Sequence, residues 1–193
     1  IVNFNSSVNL GMAGNTGRIR ILQRPAQASS LGVLGPWAIV GGDDYAGYDA
    51  LMGVGPLGVG GYAPYDVLFG SGRVTNLFVQ QSGTTTLDAG TTTSAMLRLS
   101  GGTVNDIAFT NAGDVLHLEM GGLLRSNNNI PTVIGTAAVP GVLTAGGTVA
   151  SGTRELVVYN AQNQITINAA IKDPGSVLGA GGAALALVKG GAG

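Results

Sequence analysis

The sequence has no cysteine, one histidine and one tryptophan in 193 residues, and only 5% of it is aromatic and 10% charged. Without cysteine there are neither disulfides nor thiolate metal sites, so a small disulfide-stapled fold is excluded and a packed core has to hold the chain. Nine basic and ten acidic residues, scattered singly, leave a net charge of −1. No basic stripe exists to neutralise phosphates, and nucleic acid is not an expected partner. The longest apolar run, Val177 to Val188, has 12 residues diluted by glycine, against roughly 20 for a membrane-spanning helix; no transmembrane segment is expected. The chain opens on Ile, with no charged segment leading into an apolar run, as expected of a processed chain or a fragment.

Helical periodicity is equally scarce, because Gly, Thr, Asn and β-branched residues interrupt every window in which a helix would propagate. Glycine is what the chain has in excess: 34 of 193, together with 45% hydrophobic residues. That hydrophobic fraction at near-zero net charge lies outside the composition of disordered chains and predicts a folded protein of short strands and many turns. Period-two alternation supports this. "GRIRIL" sets Ile19 and Ile21 opposite Arg18 and Arg20, "AMLRLS" sets Leu97 and Leu99 opposite Met96 and Arg98, and "VLHLEM" sets Leu116 and Leu118 opposite His117 and Glu119. Further strands are predicted over Asp66–Phe69, Val74–Val79, Val104–Phe109, Glu155–Tyr159, Gln164–Ile167 and Ala184–Val188. Turn-formers such as "SNNN" and "DPG" separate them.

The spacing predicts how these strands assemble. "LRLSGG" (Leu97–Gly102) is echoed by "LHLEMGG" (Leu116–Gly122), and "LSGGTV" returns as "LTAGGTV" at Thr103 and Thr148. A period of about 20 to 25 residues without helices predicts a solenoid of stacked β-coils, about eight or nine of them, on the order of 40 Å long. Inward aliphatic ladders and polar corner ladders would hold it, and the scarcity of charge fits, since a charge repeated on successive coils would face itself about 5 Å away. The alternative is an antiparallel β-sandwich, which favours Asn-Gly or Asp-Gly hairpins; neither dipeptide occurs. One solenoid segment over 1–193 is the expected organisation.

"VLGPWAIVGGDDYAGYDA" resembles the stretch that begins a passenger unit in bacterial surface proteins with autotransporter-associated β-strand repeats. Leu34, Gly35, Trp37, Ala38, Val40, Gly41, Gly42, Asp44 and Ala46 carry the likeness, with Pro36 in place of a Gly and Tyr45 in place of a Trp. Downstream, Leu156, Val157, Val158, Ile165, Ile167, Ile171, Leu187, Lys189, Gly191, Ala192 and Gly193 also fit the pattern. The resemblance covers most of the chain. It implies a right-handed parallel β-helix, exported to the bacterial surface inside a longer polypeptide, with an adhesive or structural role.

The densest chemistry lies in the same segment: Trp37, Asp43, Asp44, Tyr45, Tyr48 and Asp49. Carboxylates and aromatic faces of this kind suit a glycan or a Ca²⁺ ion. The competing reading is a structural corner whose Asp side chains cap backbone N–H groups while Trp37 plugs the solenoid. No calcium-loop spacing is present, so no cofactor and no metal are expected. "GVGPLG" (Gly53–Gly58) and "GAGGAA" (Gly179–Ala184) match glycine-rich phosphate fingerprints by letter, but no helix is predicted to start after either. His117 shares a face with Glu119 and reads as an outward strand position. A lyase or hydrolase would need Arg98, His117, Glu119, Arg125, Asp106 and Asp114 aligned on neighbouring coils, and the echo places Arg98 near His117 and Glu119. The reading that these residues favour is a non-enzymatic extracellular structural or adhesive protein whose partners are its own repeats or further copies of itself, in a filament or surface layer. A glycan-binding module is the alternative, to be told apart by whether Tyr45, Tyr48, Tyr62 and Tyr65 line a groove or pack inside. A polysaccharide lyase or hydrolase comes third.

Overall fold

The computed structural model describes residues 1–6, 10–12, 17–22, 32–66, 78–100, 104, 106–126, 130–147, 151–179 and 181–193. Of the described residues 47% are strand and 3% helix, arranged as parallel sheets and a curled half-barrel. The first strands are β1 (Val2–Phe4), β2 (Ala38–Val40), β3 (Asp44–Asp49) and β4 (Gly53–Pro56). β1 pairs parallel to β2, and β2, β3 and β4 then form an antiparallel meander. The remaining strands are β5 (Phe78–Gln81), β6 (Thr85–Leu87), β7 (Thr91–Leu99), β8 (Ile107–Phe109), β9 (Val115–Arg125), β10 (Thr132–Ile134), β11 (Val142–Ala145), β12 (Thr153–Asn160), β13 (Ile165–Ile167), β14 (Ala170–Ile171) and β15 (Ala184–Gly190), with a one-turn helix α1 (Pro174–Leu178) before the last. All of these pair in parallel.

The pairing returns the chain to three faces in turn. One face stacks β5, Met96–Leu99 of β7, Gly122–Arg125 of β9, β12 and β15. A second stacks β6, β8, β10 and β13. The third stacks Thr91–Ser94 of β7, Val115–Leu118 of β9, β11 and β14. Inside lies an aliphatic core that includes Leu97, Leu99, Leu116, Leu118, Leu123, Ile134, Leu143, Leu156 and Val158. The expected alternation of Leu97 and Leu99, and of Leu116 and Leu118, is therefore the core-facing set.

Several expectations are corrected. The repeat is irregular: partners lie from 18 residues apart (Phe78 opposite Met96) to 35 (Gly122 opposite Val157), and among the described residues the longest face has five layers against the eight or nine coils expected, about 20 Å deep at the spacing of paired strands. The echo at 20 residues misplaces the register. Leu97 faces Leu123, and His117 faces Thr93. The "GRIRIL" segment forms no strand; Ile19 accepts one bond from the Val54 N–H at 2.9 Å, and Ile19 and Ile21 pack on the meander from an irregular segment. Asp66–Phe69 and Val74–Val79 fall largely outside the described residues, as do Thr103 and Thr148. The meander itself was unexpected. Gly41 and Gly42, at φ 62° and 71°, make the tight turn between β2 and β3 that Asn-Gly would otherwise mark, closed by the Asp43 N–H on the Val40 carbonyl at 3.1 Å.

The meander covers the outer side of the first face. Val33, Ile39, Tyr45, Leu57 and Ala63 form one buried cluster with Ala95, Met96 and Leu124. Met96 is thus buried, although the alternation puts it opposite the core-facing Leu97, because that sheet is covered on both sides.

Candidate functional site

Two places gather polar side chains. The first is the joint between the meander and the stack, where the turn formed by Gly41 and Gly42 drops Asp43 and Asp44 onto Arg98 of β7. The Arg98 guanidinium lies 3.1 Å from an Asp43 carboxylate oxygen and 3.1 Å from Asp44 Oδ1. Its Nε–H is aimed elsewhere, donating to the Asp43 carbonyl at 2.8 Å and the Ser126 hydroxyl at 3.0 Å, so Asp44 Oδ1 gains attraction without a hydrogen bond. Burial raises the Asp44 carboxyl to about 6; Arg98 and a hydrogen bond from the Tyr65 hydroxyl offset this in part, while Asp43 adds to it. The guanidinium carbon stands 5.4 Å from the centre of the Tyr65 ring.

Tyr45 is buried and donates from its hydroxyl to the Leu97 carbonyl at 3.2 Å, and its own N–H donates to the Tyr65 hydroxyl at 3.3 Å. Burial pushes both phenols well above their ordinary range and raises Tyr62 to about 12. Tyr62 and Tyr65 pack on the cluster around Met96, and Tyr48 packs within the meander. Asp49 Oδ1 accepts the N–H groups of Leu51 and Met52, each at 2.8 Å, and so closes the β3–β4 turn. Of the six residues singled out in sequence, Asp43, Asp44 and Tyr45 meet at the joint, Tyr48 and Asp49 stabilise the meander, and Trp37 stands apart. Tyr65, Arg98 and Ser126 complete the joint. Sequence reading names Arg98 and Tyr65 in other roles but does not join them, or Ser126, to this corner, because Arg98 lies 55 residues from Asp43.

Trp37 belongs to the second place. Half-buried on Leu34, Ala38, Ala46 and Val54, it does not plug the stack but lines an open groove of ≈ 440 Å³ with Glu119, Met120, Gly146, Arg154 and Glu155. Corner insertions build this groove. Between the paired positions Ser94/Leu118 and Met96/Gly122, β7 spends one residue on the corner and β9 three, Glu119 to Gly121; from the next coil Gly146, Gly147 and the first residues of β12, Thr153 to Glu155, line the groove. The floor is glycine by necessity. Gly146 has φ +88°, and a Cβ on it would lie 2.4 Å from the Arg154 stem. His117 Nε2 sits 2.8 Å from the Gly146 carbonyl and braces that floor.

The remaining candidates separate. His117 is buried, correcting the outward reading, and Arg98 faces Leu124 on a different part of the sheet. Arg125, fully buried, turns in with Leu99, donates to the carbonyls of Leu99 and Ile130, and is held below the usual guanidinium range by desolvation. Asp106 accepts the Val133 N–H at 2.8 Å. Asp114 accepts the N–H groups of Gly90 and Asn111 at 2.8 and 2.6 Å, which hold its carboxyl below the usual range. Of the lyase set only Glu119 reaches the groove. Among the described residues no cluster of three metal-ligating side chains occurs, and no helix is long and apolar enough to cross a membrane. Gly53–Pro56 is strand β4, and Gly179 ends α1 instead of starting a helix, so neither glycine motif has the helix that a phosphate site requires. The chain matches no protein-family model, no curated protein and no solved structure.

Proposed function

We propose that the chain is a right-handed parallel β-helix segment of an extracellular bacterial structural or adhesive protein, without a catalytic site, which works by stacking on further coils of its own kind. Right-handed crossovers are the general rule for parallel strands, and the resemblance to passenger repeats points the same way. The observation that carries the reading is the outer edge of β15. This strand is the last in its sheet, seven residues long, with Lys189 as its one charged residue. Ala184 donates its N–H inward to the Gly152 carbonyl at 3.0 Å, so the alternate residues Leu185, Leu187 and Lys189 turn their N–H groups outward. Asp173 takes the Leu185 N–H at 2.7 Å, which blunts half of the edge. From Leu187 onward no described strand pairs with the outer edge, and the Leu187 side chain is 57% exposed. A long apolar edge with one gatekeeping charge is a template for another parallel strand.

The test is sedimentation velocity with negative-stain microscopy of the chain and of Leu187→Pro. Proline removes an outward donor only and leaves the β12 ladder whole. Fibres or sheets that the substitution converts to monomers support the reading; discrete monomers of the parent chain at all concentrations refute self-stacking. Tyr45 is buried and Tyr62 and Tyr65 are half-buried against its cluster, which weighs against the glycan alternative at these tyrosines.

A further inference from the structure

We propose that the joint between meander and stack is a pH-operated latch: protonated at Asp44 it holds the meander down, and towards neutral pH it loosens and uncovers the apolar outer side of the first face. One guanidinium serves two neighbouring carboxylates here. Arg98 donates to Asp43 Oδ2 at 3.1 Å and turns its Nε–H to the Asp43 carbonyl and to Ser126. Asp44 accepts from the Tyr65 hydroxyl, but its Oδ1 is buried with no hydrogen bond, 3.1 Å from a guanidinium nitrogen whose proton points elsewhere. When Asp44 ionises, its charge is left unsolvated on that oxygen and stands beside the negative charge of Asp43, which is costly. Undocking returns the carboxylate to water. The other titratable groups that face Asp44 keep their charge in this range: Arg98 stays a cation, and burial pushes the Tyr65 phenol, and the Tyr45 phenol beside it, well up.

The fold lets the meander lift alone. Its contact with the stack is a cluster of its own, in which Val33, Ile39, Tyr45 and Leu57 cover Ala95, Met96 and Leu124. Leu97, Leu99 and Leu123 of the same sheet belong to the aliphatic core on the other side, which stays packed when the cover leaves, as in local opening. The sign follows from linkage. The docked carboxyl titrates at about 6 against 3.8 in its ordinary state, so docking is favoured in acid and weakens as pH rises through about 6. Between pH 5 and pH 7.5 these two values raise the ratio of undocked to docked chains about tenfold, levelling off above about pH 7.

Met96, 0% exposed beneath the meander, reports the lifting, and Met12, 38% exposed, is the reference. The intact chain is treated with dilute peroxide between pH 5 and pH 7.5, and sulfoxide formation at each methionine is followed by peptide mass spectrometry. The expected result is a Met96 rate, relative to Met12, that rises about tenfold across this range in the parent chain and stays flat in Asp44→Asn. Asp43→Asn, which removes the charge that raises Asp44, is expected to move the midpoint of the rise below 6. A flat or falling ratio in the parent overturns the proposal, and so does a rise that Asp44→Asn retains. Amide exchange at Leu116, in the middle of the third face, separates lifting from unfolding. Its opening constant at pH 7.5 is expected to be at least tenfold below that of Met96; equal constants mean that the whole chain unfolds, and overturn the latch. Should Asp44→Asn fail to fold, the Asp43→Asn midpoint carries the test, and an unmoved midpoint overturns it.

Discussion

The antiparallel meander and the parallel stack hold themselves together with different chemistry. In the stack, layers repeat like on like: Leu97, Leu123 and Val158 follow one another on the inner side of one face. The core side chains there are mostly aliphatic, and carboxylates bind backbone N–H groups, Asp114 those of Gly90 and Asn111 and the half-buried Asp106 that of Val133 in another layer. The meander carries its three acidic residues within seven positions and uses each differently, two to reach Arg98 across the joint and one to close a turn. A periodic stack sets any repeated charge against itself, whereas a meander that crosses the sheet once does not repeat. Charge is about as dense in the stack as before it, with 11 of the 19 charged residues at 78–193, but among its described paired positions no two like charges face each other.

Leu123→Ala should cut deepest into this contrast. It empties the middle of an inner ladder and should cost about 3 kcal/mol of global stability in urea denaturation. A loss below about 1 kcal/mol would mean that the ladders are not what holds the stack. Asp44→Asn tests the joint through its pH dependence. The folded carboxyl sits at about 6 against 3.8 in the ordinary state, so the folded chain holds that proton more tightly. Its favourable contribution is complete below the ordinary value and is lost as pH rises through about 6. Asparagine should therefore stabilise the chain at pH 7.5 relative to the parent, on the order of 1 to 2 kcal/mol, with the gain vanishing near pH 4. A parent whose stability rises across that window relative to the variant would reverse the assigned cause. The smallest effect belongs to Asp49→Ala, which frees the N–H groups of Leu51 and Met52 and should cost about 1 kcal/mol, as lost caps do. Hydrogen exchange at those two amides should speed up while the stack is unaffected.

Much of the stack was legible in the sequence, because alternation reports which residues of one strand share a side. Leu97, Leu99, Leu116 and Leu118 could be assigned to one face from period two alone. Whether the opposite side meets water could not, since that depends on what docks there: Met96 is covered by a segment more than 30 residues away. The turn at Gly41 and Gly42 was missed for a different reason, namely that Gly-Gly serves loops of every kind, and only the φ angles distinguish a hairpin. The groove was hidden by distance. Trp37 lies 117 positions before Arg154, and no local pattern links an aromatic in one corner to an insertion in another. The irregular register had the same origin, since loops of unequal length can feed strands that pair evenly.

The meander also ties together layers that are remote in sequence. Asp43 holds Arg98 and Ser126, which belong to successive layers, while the Asn3 side chain reaches the Tyr159 hydroxyl across 156 residues. Each layer of the stack needs only a short loop to find the one before it, so the stack can grow by local steps. The strap cannot close until the layers it crosses exist. Docking of the meander is accordingly expected late in folding, and its release early in unfolding under load, with this strap parting before the ladders do.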